Sequence, residues 1–74
     1  MTMHRFLVVV EPAGKNYSAY SPDLPGCVST GDSRDEATTN MYEAIQLHLE
    51  GLKEDGIPVP ASQSSAEYVV FAGE

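Results

Sequence analysis

The chain has 74 residues, a formal charge of −7 at neutral pH and one cysteine. A domain this short buries only ~60% of its unfolded surface, and Cys27 alone excludes an internal disulfide or a Cys-rich zinc site, so oligomerisation is the remaining way to supplement a thin core. The four basic residues, Arg5, Lys15, Arg34 and Lys53, are scattered, which argues against direct nucleic-acid binding and leaves two readings of the acidic charge: solubility, or attraction of a basic protein.

Residues 6–10, FLVVV, are apolar at both parities, with Phe6, Val8 and Val10 on one side and Leu7 and Val9 on the other. Such a pattern predicts a central strand covered on both faces. Pro12 and Gly14 mark the first turn, and residues 17–21 form a second strand of aromatic and small residues. Pro25-Gly26 suits the centre of a type II turn, where proline fixes φ and glycine accepts a positive φ. Residues 27–30 are a short third strand.

Ser33 and Glu36 form a capping box, and Asp35 and Glu36 favour the positive end of a helix. The helix should run from Arg34 to Glu54, with Gly56 as its C′ residue and Pro58 barring continuation. At ~100° per residue, Met41, Ile45, His48, Leu49 and Leu52 make the apolar stripe, with Tyr42 at its edge. Glu36, Asn40, Glu43, Leu47, Glu50 and Glu54 lie opposite, Leu47 being the one apolar side chain among acids. Residues 57–65 read as a loop and 68–71, YVVF, as a last strand. The fold class is α+β in the order β-β-β-α-β, an antiparallel meander followed by a crossover helix and a final strand parallel to the first. One helix covers only one face of that sheet, so the other needs a second copy or a partner.

Several motifs stand in one register: Tyr17 and Tyr20, then Pro22-Asp23-Leu24-Pro25-Gly26-Cys27, Gly31, Ser33, Glu36-Ala37, Asn40 and Glu43-Ala44, continuing through His48-Leu49-Glu50-Gly51-Leu52, Asp55-Gly56 and Pro58-Val59-Pro60. Together they resemble the HicB-like antitoxin family over nearly the whole chain. The resemblance implies a truncated ribonuclease H fold without nuclease activity. It also implies a small basic partner, a HicA-like toxin that has a double-stranded-RNA-binding-like fold and cleaves RNA with a histidine. Many members of that family add a C-terminal DNA-binding domain. Residues 1–74 are read here as a single HicB-like domain in stand-alone form, without that addition.

Candidate chemistry is sparse. A ribonuclease H-type site needs carboxylates converging on metals ~3.5–4 Å apart, yet residues 6–10 and 68–71 contain no acid. His48 falls on the apolar stripe, His4 is near the terminus, and Cys27 has no basic neighbour in sequence to lower its pKa. The expectation is therefore a protein that is not an enzyme and holds no metal or cofactor. Asn40 either donates to a neighbouring loop or is solvated. The outer helix ridge of Glu36, Glu43, Leu47, Glu50 and Glu54, which the loop acids Asp23 and Asp32 could join, is either an ordinary solvated face or an acidic rim around an apolar anchor for a basic partner. The partner could equally dock on the sheet.

The expected function is non-catalytic neutralisation of a HicA-like toxin in a type II toxin–antitoxin pair, by a homo-oligomer (dimer or tetramer). The alternative is an orphan oligomeric scaffold or regulatory module of the same fold. A single thiol fits the cytoplasm, and residues 6–10 fall far short of the ~20 apolar residues that span a bilayer.

Overall fold

A computed structural model describes residues 3–73. Its elements are β1 (Val9–Ala13), β2 (Asn16–Tyr20), β3 (Val28–Gly31) and α1 (Arg34–Glu54). The strands form one antiparallel sheet in the order β1-β2-β3. The turns produce this meander. Ala13 pairs with Asn16, which leaves Gly14-Lys15 as a two-residue hairpin loop. Gly14 has φ +69°, the left-handed value required at the first central position of a type II′ turn. Two turns in series join β2 to β3: the Leu24 N–H donates to the Ser21 carbonyl and the Cys27 N–H to the Leu24 carbonyl, each at 3.1 Å. Pro25-Gly26 is central to the second, and Gly26 at φ +81° gives it the type II form the dipeptide predicts. Leu24, between the turns, is fully buried.

The helix has the expected bounds because both of its ends are written in local chemistry. Ser33 is the N-cap, and its hydroxyl accepts from the Glu36 N–H at 3.0 Å. The Glu36 carboxylate accepts in return from the N–H of Asp32, one residue before the cap, at 3.0 Å. At the other end the Gly56 N–H donates to the Lys53 carbonyl and the Ile57 N–H to the Leu52 carbonyl. With Gly56 at φ +67°, this pair of bonds is a Schellman motif, which satisfies carbonyls that the helix leaves free.

The core lies between the helix and one face of the sheet. Ala19, Leu24, Cys27, Ala37 and Met41 are buried, and Phe6, Val8, Val10, Tyr17, Ala44 and Ile45 pack against them. Fully burying a side chain such as Leu24 or Met41 is worth about 1.5–3 kcal/mol. Phe6, Val8 and Val10 do share the core side, as their parity predicts. The helix sits close because Gly31 has no side chain: a Cβ there would meet Ala37 N and lie 2.8 Å from the Glu36 carbonyl carbon. Ser29, on the helix-facing row Val10–Ala19–Ser29, donates its hydroxyl to the Ala37 carbonyl at 2.8 Å.

The other face is uncovered. Register places Val9 beside Tyr20 and Tyr20 beside Val28, an apolar row across all three strands with no helix above it. Val28 is 65% exposed and Tyr20 39%.

The strand bounds differ from those expected. The first strand begins at Val9 and runs to Ala13, so residues 6–8 have no regular structure. It stands at the edge of the sheet, paired only with β2, and Pro12, which has no N–H, suits an edge. The second and third strands are shifted by one residue, the hairpin register at Ala13 and Asn16 fixing β2. Among the described residues no fourth strand forms: residues 57–73 carry no regular structure, and Tyr68, Val69, Val70 and Phe71 are all exposed. The radius of gyration is accordingly 14.5 Å, against about 11 Å for a packed domain of this length.

Candidate functional site

The outer ridge of α1 is the most prominent charged feature. Glu43, Leu47, Glu50 and Glu54 recur at spacings of four, three and four residues, which places them on one helix face. All four are exposed, and Leu47 is 68% exposed. The ridge covers about 16 Å of helix at 1.5 Å per residue. Met41 and Ala37, buried on the opposite side, fix this orientation.

The remaining acids singled out from the sequence are placed differently. Glu36 is exposed and on the same face, but its carboxylate accepts from the Asp32 N–H and so serves the helix cap. Asp32 stands just before the helix, beyond the Gly31 end of β3. Asp23 belongs to the turns beyond Tyr20 and Val28, at the opposite end of the sheet. The structure therefore groups Glu43, Leu47, Glu50 and Glu54 and separates Asp23 from Asp32.

Asp23 has an internal task. One carboxylate oxygen accepts from the backbone N–H of Gln63 at 3.1 Å and of Ser64 at 3.0 Å, and the other accepts from the Ser64 hydroxyl at 3.1 Å. The Ser64 backbone N–H lowers the Asp23 pKa most; desolvation opposes it, and the Ser64 hydroxyl and the Gln63 N–H add to the lowering. These bonds clamp residues 62–65 to the β2–β3 connection, and the same residues line a cleft with Arg5, Phe6, Leu7 and Val8.

Other side chains secure the helix rather than offer chemistry. The Asn40 amide donates to the Thr30 carbonyl at 2.8 Å, which settles its role as a tie between helix and sheet. Arg34 places its guanidinium 5.1 Å from the centre of the Tyr17 ring, a cation–π contact. Cys27 is buried, and burial raises its thiol pKa, so it is a small core hydrophobe. His48 is half-buried on the stripe, and His4 stacks on Phe6 at 6.2 Å. The Asp23 clamp and the Arg34–Tyr17 contact escaped sequence reading. Asp23 in a Pro-rich turn and Ser64 in a Ser-rich loop hint at side-chain capping, but nothing local links residues 41 positions apart. A second opening, a groove of about 490 Å³, runs between residues 3–8 and the helix and is lined by Phe6, Val8, Tyr42, Ile45 and Leu49 among others.

The fold and the ridge define a small acidic α+β domain with one packed and one open sheet face. The chain belongs to the HicB-like antitoxin family: the model for the HicB_like antitoxin of bacterial toxin-antitoxin systems matches residues 6–72. An uncharacterized 14.9 kDa protein of the rep-hol intergenic region of Haemophilus phage HP1 is 39% identical over 62 residues, covering 84% of this chain and 47% of that protein. The chain thus spans about half the length of this phage relative. A UPF0150 protein of Helicobacter pylori is 40% identical over 57 residues, covering 77% of this chain and 79% of its own. Another UPF0150 protein, from Synechocystis, is 48% identical over 44 residues, covering 60% of this chain and 56% of its own. No solved structure matches. Among the described residues no helix is long and apolar enough to cross a membrane.

Proposed function

We propose that this protein is the antitoxin of a type II toxin–antitoxin pair and neutralises a small, basic, HicA-like RNA-cleaving toxin by covering its active site, in the cytoplasm and without catalysis of its own. Membership of the antitoxin family carries this reading. The ridge supplies a physical means: three exposed carboxylates, Glu43, Glu50 and Glu54, surround an exposed apolar anchor, Leu47, on a chain of net charge −7. A basic partner is steered by such a field and held where the anchor is desolvated. Asp32 and Glu36 extend the acidic surface towards the helix start, whereas Asp23 contributes by holding residues 62–65 in place.

Residues 68–71 complete the sheet beside β1 in this reading, parallel to it, which gives the four-stranded truncated ribonuclease H-like arrangement. The protein acts as a homo-oligomer, because the row Val9, Tyr20 and Val28 has no cover among the described residues. That same row favours a second reading, an assembling scaffold of this fold without a toxin. A neighbouring reading frame that encodes a short basic protein separates the two.

The test is a binding titration of that neighbouring product at two ionic strengths. The doubly reversed variant Glu43→Lys/Glu50→Lys should bind at least about tenfold more weakly, equivalent to ~1.4 kcal/mol, and lose most of the salt dependence. Equal affinity and equal salt dependence would remove the ridge from the interface.

A further inference from the structure

Residues 66–73 are the part of the chain that the packed body leaves outside. Gln63 and Ser64 are held by three hydrogen bonds to Asp23, and residues 62–65 lie alongside Arg5, Phe6, Leu7 and Val8. Beyond Ser65 the chain leaves the body, and Val70 is 94% exposed. Yet residues 68–71, YVVF, have the composition of a strand and carry no charge. Four large apolar side chains in water, with their backbone groups unpaired, make an unstable end state.

The complement is present in the same molecule. β1 pairs with β2 on one side only, and the half-buried residues 6–8 that lead into it pair with no strand among the described residues. An open edge of this kind is a template for an added strand. Pro12 offers no N–H, so the added strand fits the stretch before it, an uncharged apolar run, residues 6–10.

We propose that the strand is exchanged: residues 68–71 of one copy pair with the β1 edge of a second copy, and the second copy returns its own, giving a closed dimer. This rests on the reading that residues 68–71 complete the sheet beside β1, and it specifies which molecule supplies the strand. One observation favours the second copy over closure within one chain: the arm, with Tyr68 to Phe71 exposed, is directed away from the body although its base is clamped next to the very edge it would pair with. Reciprocal exchange of an identical element is a low-cost route to a two-fold dimer, since each copy has one donor strand and one acceptor edge. The Ser65-Ala66-Glu67 stretch is the hinge, and the Asp23 clamp fixes where it begins.

The test uses the whole chain. Sedimentation should give twice the monomer mass. A mixed sample of isotopically labelled and unlabelled protein should show intermolecular contacts between residues 68–71 and residues 6–10 in filtered nuclear Overhauser spectra. Val70→Asp should shift the protein to the monomer while circular dichroism keeps the helix. The same contacts seen only within one molecule, in a monomer or a dimer, overturn exchange and leave the completed sheet standing. Absence of any contact between the arm and β1 overturns both. The filtered spectrum on the unmodified chain decides the matter even if Val70→Asp unfolds.

Discussion

The two faces of the sheet are built from the same three strands and have opposite fates. On the helix side each feature has its counterpart: Met41 and Ala37 fill the space over Ala19, Gly31 lets the helix backbone approach, Ser29 and Asn40 bond across, and Tyr17 stacks under Arg34. On the other side Val9, Tyr20 and Val28 line up with no helix above them among the described residues, and the apolar residues 68–71 are exposed to solvent. The difference separates the face that the chain's own helix covers from the face that it leaves open. The helix side is fixed by contacts within the chain, from Ser29 with Ala37 eight residues apart to Phe6, Val8 and Val10 against the cluster that holds Ala37 and Met41.

Substitutions on the packed side should therefore act on folding. Met41→Ala removes a fully buried side chain from a core of five buried apolar residues and should cost about 3 kcal/mol in denaturant unfolding. In a domain this small, that should unfold a large fraction of the molecules. A loss below about 1 kcal/mol would mean that the helix does not pack on the sheet as described. Ser33→Ala should cost about 1 kcal/mol, because it leaves the Glu36 N–H without its acceptor while Glu36 keeps its bond to Asp32.

The open side should respond in assembly rather than folding. Tyr20→Ser should change the unfolding midpoint of a dilute sample little and shift the monomer–oligomer balance towards monomer in sedimentation. An unaltered balance would show that the row is not an interface.

The smallest effect should be local. The Asp23 pKa is lowered by the Ser64 N–H, so the clamp's contribution is present above the unfolded-state pKa and fades as pH falls through the lower folded-state value. The Ser64 amide resonance should titrate in that acidic window. Asp23→Asn should abolish the titration and speed amide exchange at Gln63 and Ser64, with the global midpoint unchanged.

How much of this was legible in the sequence follows the same division. The helix was readable at both ends because Ser33, Glu36 and Gly56 act on backbone groups within a turn of themselves. The type II turn at Pro25-Gly26 was readable for the same reason. The alternation of residues 6–10 gave the correct core side but not the strand's bounds, since the pairing register is set by the Gly14-Lys15 hairpin. The central position expected for that strand required residues 68–71 beside it, a pairing across about 60 residues that no local signal fixes. For the candidate site, helical periodicity placed Glu43, Leu47, Glu50 and Glu54 on one exposed face. It missed that Asp23 is engaged 41 residues away, at Ser64, and that Asp32 lies at the other end of the sheet.

The central claim is that this acidic domain silences a toxin, and an RNA-cleavage assay addresses it most directly. The product of a short basic reading frame found beside this protein's own would be titrated with the purified chain, and cleavage of RNA followed. Complete inhibition at a fixed stoichiometric ratio, relieved by Glu43→Lys/Glu50→Lys, is the result expected. Undiminished cleavage at excess protein would contradict the antitoxin role and leave an assembling scaffold of the same fold.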